Sequence, residues 1–439
     1  MSIEMMDAMN GKSCSCGKVH SYSIRVESGK GALEKLPHII QDLGGSKVYM
    51  ISDCNTFRAA GQQACKLLAA AQIACVSYCY PEEAPLEPDE KNVGSAIMHY
   101  DSSCDIIVGV GSGVINDIGK IVSAVSGKPY IIVATAPSMD GYASASSSMT
   151  RDGLKISLPS RNPDAIIGDT DILCCAPLKM MKSGLGDMIA KYTSICEWRI
   201  AHLITGEYYC EEVAELIRRA VHTCVSNAHG LLKRDPVAVQ AVFEGLVIGG
   251  VAMNYAGVSR PASGVEHYIS HVLDMRGVEY HIPVEFHGIQ CAVGTLIAVK
   301  LYERLKTVKP HREKALAYAK QFDYSQWAQT LRELLGKGAE SMIALEAREG
   351  KYDPVSHAKR LEVILANWDA ILCIMEEELP TAEQLEKLLD TIQAPKSLAQ
   401  IGVEESMLGV IFRATKDIRD KYVLSRLCWD LGIIDELVK

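Results

Sequence analysis

The chain has 439 residues, 48% of them hydrophobic and 23% charged. That mix excludes a disordered, collagen-like or low-complexity protein, and the length suits two or three domains. With 45 basic against 54 acidic residues the net charge is −9, so no basic field gathers nucleic acid or an anionic membrane, and a small-molecule role is favoured.

Met1 to Lys12 carries acidic residues and no apolar core, unlike a secretory signal. Cys14-Ser-Cys16-Gly-Lys-Val-His20 offers three metal-ligand side chains. With no fourth nearby and no CxxC partner, the spacing argues against a closed zinc knuckle. Lys47–Ser52 reads as a buried strand, Phe57–Ala71 as a helix, Ala74–Cys79 as a strand and Glu90–Tyr100 as a helix. Asp105–Val110 is a further strand, leading through glycines into a helix at Val114–Val125, and Tyr130–Ala134 closes the series. Strands alternating with helices predict βαβ units and a parallel sheet. Ala143–Met149 is rich in Ser and Ala, and Arg151-Asp-Gly153 predicts a hairpin turn.

After Ala176-Pro177 the pattern is helical: Lys179–Trp198, Glu211–Leu232, Val239–Ala256, Gln290–Arg304, Leu361–Glu378, Ala382–Thr391 and Glu405–Leu427. The most apolar stretch, Gly245–Met253, is bounded by Glu244 and Asn254, short of the roughly 20 residues that cross a bilayer. No membrane span is expected. The 15 cysteines read as reduced core residues, and the expected location is cytoplasmic. The predicted architecture is an α/β parallel-sheet domain over residues 1–170, followed by an all-α domain over 171–439.

Gly109-Val-Gly-Ser-Gly-Val-Ile-Asn-Asp117 joins a strand to a helix, where unpaired N–H groups and a positive helix end suit a pyrophosphate. Gly111 and Gly113 permit close backbone approach, and Asp117 is placed to accept from a nicotinamide amide. The spacing is neither G-x-G-x-x-G nor a P-loop, and a tight turn needing glycines is the plain alternative. Asp53, just past the first strand, suits a ribose hydroxyl or, equally well, a helix N-cap.

Gly184-Leu-Gly-Asp187 precedes an amphipathic helix and sets a carboxylate near its start. His267 and His271 lie four apart, on one helix face, and His287 stands at a turn into another helix. One carboxylate with two imidazoles is a common catalytic zinc set. Five of the 12 histidines (His267, His271, His281, His287 and His311) fall close together in sequence, although a surface or core role suits any one of them.

Together GVGSGVINDIGK (Gly109–Lys120), TAPSMDG (Thr135–Gly141), GDMIAK (Gly186–Lys191), RPASGVEHYISH (Arg260–His271) and His287-Gly288 resemble the sn-glycerol-1-phosphate dehydrogenases. These form a branch of the superfamily of iron-dependent alcohol, glycerol and dehydroquinate-forming enzymes. The resemblance implies a dehydroquinate synthase-like fold with a metal between its two domains. It implies Asp187, His267 and His287 as metal ligands, and Asp140, Asp187 and His271 at the substrate. It implies Gly111, Ser112, Gly113, Val114, Ile115, Asp117, Thr135, Ser138 and Ser144 along the cofactor, with Asp53 at the adenosine ribose. Lys191 stands where the related alcohol dehydrogenases carry a histidine, which leaves three ligands and weakens the case for iron. Zinc is the first expectation, with nickel or manganese open.

The implied reaction is reduction of dihydroxyacetone phosphate by NADH or NADPH to sn-glycerol 1-phosphate, with Asp187 and His271 as catalytic residues. His271 is expected to be the proton source because imidazole titrates near working pH. Lys191, Lys155 and Arg260 are candidates for the substrate phosphate. Asp53 tilts the choice toward NAD, and a homodimer is expected. The alternatives are glycerol or another polyol as substrate at the same metal site, a dehydroquinate synthase-like lyase (whose family keeps Glu at the position of Asp187), and a silent NAD sensor.

Overall fold

The computed structural model describes residues 2–81 and 86–439. They form two compact units, Met1–Met188 with Glu215–Gly257, and Ile189–Ala214 with Val258–Lys439.

The first unit is built on strands β1 (Lys12–Ser13), β2 (Val19–His20), β3 (Arg25–Gly29), β4 (Lys47–Asp53), β5 (Ala74–Tyr80), β6 (Ile106–Gly111), β7 (Tyr130–Ala134), β8 (Ser146–Arg151), β9 (Leu154–Pro159) and β10 (Ala165–Asp169). Six of them form one sheet in the order β3-β10-β7-β6-β4-β5, and every pairing in it is parallel. Every residue of β6, β7 and β10 is buried, as expected of a parallel sheet covered on both faces. Leu33, Leu36, Ile40, Leu68, Val108, Val133 and Ile167 pack a core against it.

The chain leaves β4 toward β5 on one side and returns to β6 on the other. The strand order therefore reverses between β4 and β6, where open α/β sheets bind ligands beyond the strand ends. Pairing of Ser52 with Val110 brings Asp53 and Gly111 to that same edge. The β8–β9 turn forms where expected, with both Asp152 and Gly153 at positive φ. The β1–β2 and β8–β9 hairpins stand apart from the six-stranded sheet.

The expected helix Val239–Ala256 forms as Pro236–Ala256, 21 residues that run through Glu244 and Asn254. Among the described residues it is the helix long and apolar enough to cross a membrane, yet 72% of its most apolar window is buried, as in a core helix. Lys179–Trp198 is two helices, Leu178–Ile189 and Lys191–Thr205. At the break the Thr193 hydroxyl donates to the Ala190 carbonyl at 2.8 Å, a side-chain competition that bends helices. Asp187 therefore sits in the last turn of one helix rather than at the start of another. Leu361–Glu378 is likewise two helices, Pro354–Ala366 and Trp368–Glu378.

Among its described residues, every regular element of the second unit is a helix. Its core joins Ile200, Val265, Ile269, Val293 and Leu301 to Leu361, Phe412 and Trp429.

Within the first unit, Leu178–Ile189 lies directly on the loop after β7. A Cβ on Gly184 would sit 1.9 Å from the Pro137 carbonyl oxygen. Backbone cannot yield as a flexible side chain would, so Gly184→Ala is expected to cost at least the roughly 1–3 kcal/mol of ordinary overpacking. A lowered midpoint in denaturant or heat checks this, and an unchanged midpoint would contradict the close approach.

Candidate active site

Residues 135–141 are held from two directions. Thr135 N–H donates to the Gly111 carbonyl at 3.1 Å, which ties the loop to the end of β6. Asp140 N–H donates to Asp187 Oδ2 at 2.9 Å, and the Ser183 hydroxyl donates to the Ser138 carbonyl at 2.9 Å. Asp187 is fully buried. The sequence-predicted residues Gly111, Thr135, Ser138, Asp140 and Asp187 thus form one connected structure.

The glycine loop opens the helix Gly113–Ser126, and no side chain caps that helix, so its first N–H groups are left to a ligand or solvent. A Cβ on Gly111 would come within 2.5 Å of the Ile115 side chain, whereas one on Gly113 would meet nothing nearer than 3.5 Å. Gly111 is fixed by packing, and Gly113 leaves room. Gly109 and Gly119 would each place a Cβ 2.4 Å from the Tyr130 hydroxyl, so they admit that ring between strand and helix.

Asp117 pairs with Lys120 at 3.1 Å. Burial, partly offset by Lys120, raises the Asp117 carboxyl above its usual range. Lys120, fully buried, donates to the carbonyls of Gly141 at 3.3 Å and Ser146 at 2.5 Å and to the Ser144 hydroxyl at 3.3 Å. Sequence reasoning missed this pin, since nothing in the helical pattern separates it from a surface lysine. Asp53 caps the next helix, its Oδ1 accepting from Asn55 and Thr56 N–H at 2.8 Å each.

In the second unit His267, His271 and His287 converge. Ring centroids are 5.0 Å apart for His267 and His287, and 6.2 Å for His271 and His287. His281 instead ends the helix Val265–Tyr280 in a left-handed conformation, and His311 caps the helix Arg312–Ala319. His267 Nδ1 lies 2.8 Å from Glu266 Oε1, and His287 Nδ1 lies 2.9 Å from the Ser270 hydroxyl. Glu266 is itself held by Gly264 N–H at 2.6 Å and the Thr193 hydroxyl at 2.5 Å. A carboxylate on Nδ1 fixes the tautomer and turns Nε2 toward a metal.

Cys291, one turn after His287, was not foreseen. Donor atoms of His267, His287 and Cys291 lie within 4.8 Å of one another, a nitrogen and sulfur set that fits a borderline-soft divalent ion. Burial raises the Cys291 thiol, but His267 and His287 outweigh it and hold the thiol below its usual value. The spacing of four residues from His287 was the signal that could have found it.

His271 differs from expectation. Burial, then the charges of His287, His267, Arg419 and Lys421, push it well below the usual imidazole range, so the ring is neutral at working pH. Arg260 is also already engaged: it donates to both carboxylate oxygens of Glu207 at 2.6 Å and to the Tyr422 carbonyl at 2.9 Å.

Residues 27–177 match the family model of the iron-containing alcohol dehydrogenases. The fold resembles a glycerol dehydrogenase from Schizosaccharomyces pombe (TM-score 0.61, 15% identity, 94% of this chain and 89% of that one). It equally resembles a 1,3-propanediol oxidoreductase (TM-score 0.61, 16% identity, 94% and 98% covered). A Bacillus licheniformis protein named glycerol-1-phosphate dehydrogenase (NAD(P)+) is 31% identical over 97% of this chain and 94% of its own length. The chain belongs to the glycerol-1-phosphate dehydrogenase family. A Halalkalibacterium halodurans protein of the same name is 29% identical over 75% of this chain and 87% of that one.

In this member of the family Glu266 is the group that orients the His267 imidazole, through Nδ1 at 2.8 Å. Glu266→Gln is expected to weaken divalent-metal affinity by about 10- to 100-fold, read by competition with a chromophoric chelator while circular dichroism stays unchanged. Unaltered affinity would remove Glu266 from that role.

Proposed function

We propose that the chain reduces dihydroxyacetone phosphate at C2 with NADH or NADPH, giving sn-glycerol 1-phosphate. The supporting observation is the cluster of His267, His271 and His287 in a chain whose full-length relative is named for that activity. In this reading residues 1–170 hold the dinucleotide, and 171–439 supply most of the metal and substrate contacts. The pyrophosphate lies at the start of the helix Gly113–Ser126, against Gly111, Ser112, Gly113, Val114 and Ile115. Asp117, Thr135, Ser138 and Ser144 line the rest. The Asp53 oxygen not used in capping faces the ribose, which favours NAD over NADP.

Asp187, His267 and His287 hold one divalent ion, zinc first, although their mixed oxygen and nitrogen chemistry suits nickel or manganese as well. Bound there, the nicotinamide supplies the hydride and the ion supplies Lewis-acid polarisation of the carbonyl. Glu266 and Ser270 orient the two imidazoles, and Asp140 and His271 face the substrate. As a neutral ring, His271 hydrogen-bonds the developing alkoxide through its N–H while its other ring nitrogen takes a proton from solvent, so one proton leaves as another arrives and the ring stays neutral. A cytoplasmic homodimer completes the reading.

With Arg260 engaged by Glu207, the phosphate falls to Lys421 and Arg419, whose charges reach His271. Lys421 donates to the Ser263 carbonyl at 3.0 Å and to its hydroxyl at 2.5 Å.

The deciding experiment supplies dihydroxyacetone phosphate and NADH to metal-loaded protein and resolves the glycerol phosphate enantiomers. The 1-phosphate is expected; the 3-phosphate, or turnover of glycerol alone, overturns the reading. Burial, then Arg260, pushes Lys421 down to about 7, so its charge is present below that pH and lost above it. Accordingly kcat/KM for the phosphorylated substrate is expected to fall as pH rises through 7. Lys421→Met should lose roughly 10-fold at pH 6, about one charged hydrogen bond, together with that limb of the profile. A variant keeping the wild-type profile would free Lys421 of the phosphate.

A further inference from the structure

The hairpin of β1 and β2 has no part in the dehydrogenase reading, yet it gathers three donors. We propose that Cys14, Cys16 and His20 bind a structural zinc ion. Pairing of Lys12 with His20 and Ser13 with Val19 folds the segment back on itself. The turn is closed by Cys14 N–H on the Lys18 carbonyl at 2.9 Å and Gly17 N–H on the Cys14 carbonyl at 3.0 Å. Gly17 takes a φ of +84°, so the residue after Cys16 is one that tolerates this conformation.

The donors are set for an ion rather than for each other. Zinc–sulfur and zinc–nitrogen bonds of about 2.3 and 2.05 Å at a tetrahedral angle put sulfur and nitrogen ~3.6 Å apart. Cys16 Sγ stands 3.5 Å from His20 Nε2, and donor atoms of all three residues lie within 4.8 Å of one another. Cys16 N–H is directed at Cys14 Sγ at 3.5 Å, a bond that favours a negatively charged sulfur.

His20 is 1% exposed, and its Nδ1 lies 3.0 Å from the Tyr255 carbonyl. A carbonyl only accepts, so Nδ1 carries the proton and Nε2 presents its lone pair toward Cys16. Two thiolates and an imidazole select zinc over magnesium or calcium and neutralise its charge. The fourth position falls to a further donor or to water. The distance along the chain to any other ligand motif, which argued against such a site from the sequence, does not bear on where a donor stands in the fold.

The ion would act as a brace. Lys18 Nζ donates to the Ala256 carbonyl at 2.9 Å, so with His20 the hairpin grips the end of the helix Pro236–Ala256. The Tyr255 hydroxyl donates to the Met6 carbonyl at 2.8 Å, which adds the helix Ser2–Met9 to the same knot. Farther along, a Cβ on Gly250 would lie 2.7 Å from that of Ala143, just past the TAPSMDG loop.

Full-length protein from zinc-supplemented cultures is assayed for zinc by mass spectrometry. Cys16→Ser and His20→Ala are expected to carry about one zinc fewer per chain than wild type, and His20→Cys to keep it. Equal zinc in wild type, Cys16→Ser and His20→Ala overturns the proposal. For wild type alone, alkylation of Cys14 and Cys16 mapped by peptide mass spectrometry is expected to be at least about 10-fold slower with zinc than after chelation. Equal labelling rates overturn it without any variant having to fold.

Discussion

One short hydrogen bond sets the terms for the first unit: the Asp140 backbone N–H on the buried Asp187 carboxylate, at 2.9 Å. It joins a loop reached from the C-terminal edge of the sheet to the last turn of a helix, at a separation that requires glycine at 184. A buried carboxylate is costly unless its oxygens find donors, so the loop partly compensates the residue it positions. Lys120 does the reciprocal work for the loop, with five acceptor atoms of Gly141, Ser144, Ser146 and Asp117 around one buried ammonium. The residues at this edge of the sheet therefore owe their placement to buried polar contacts as much as to apolar packing.

The second unit solves a similar problem with more charge. Glu197 accepts from Val265 N–H at 2.9 Å and Leu424 N–H at 2.8 Å. Burial and the nearby Glu266 push its carboxyl up to about 8, whereas Glu266, bonded to His267 and Thr193, is held below its usual value. Two buried carboxylates close together do not both ionise cheaply, and their environments separate them. The one left charged is the one that orients an imidazole.

Much of this was legible in the sequence, and the exceptions have physical causes. Strands β4, β6 and β7 declared themselves because burial on both faces gives unbroken apolar runs. Strand β3, Arg-Val-Glu-Ser-Gly, is half-buried along its length at the sheet edge, so it had no such signal. The short helices Arg312–Ala319, Tyr324–Leu335 and Ala339–Glu349 were missed because they bury few residues each. Asp53 read equally well as a cap or a ribose ligand because the geometry that makes a good cap, a half-buried carboxylate at a strand end, is also what a ribose needs. Glu266 escaped because helical spacing looks three and four residues ahead, while this side chain curls onto its immediate neighbour.

The strand order also bears on how the chain is made. Among the described residues strand β3 lies against β10 and no other strand, pairing Arg25 with Ala165 and Gly29 with Asp169. Emerging from the ribosome at about 5–20 residues per second, β3 waits for its neighbour until nearly the whole sheet has been synthesised. Its arginine and glutamate keep that waiting edge hydrated, where a more apolar strand would invite pairing with another nascent chain.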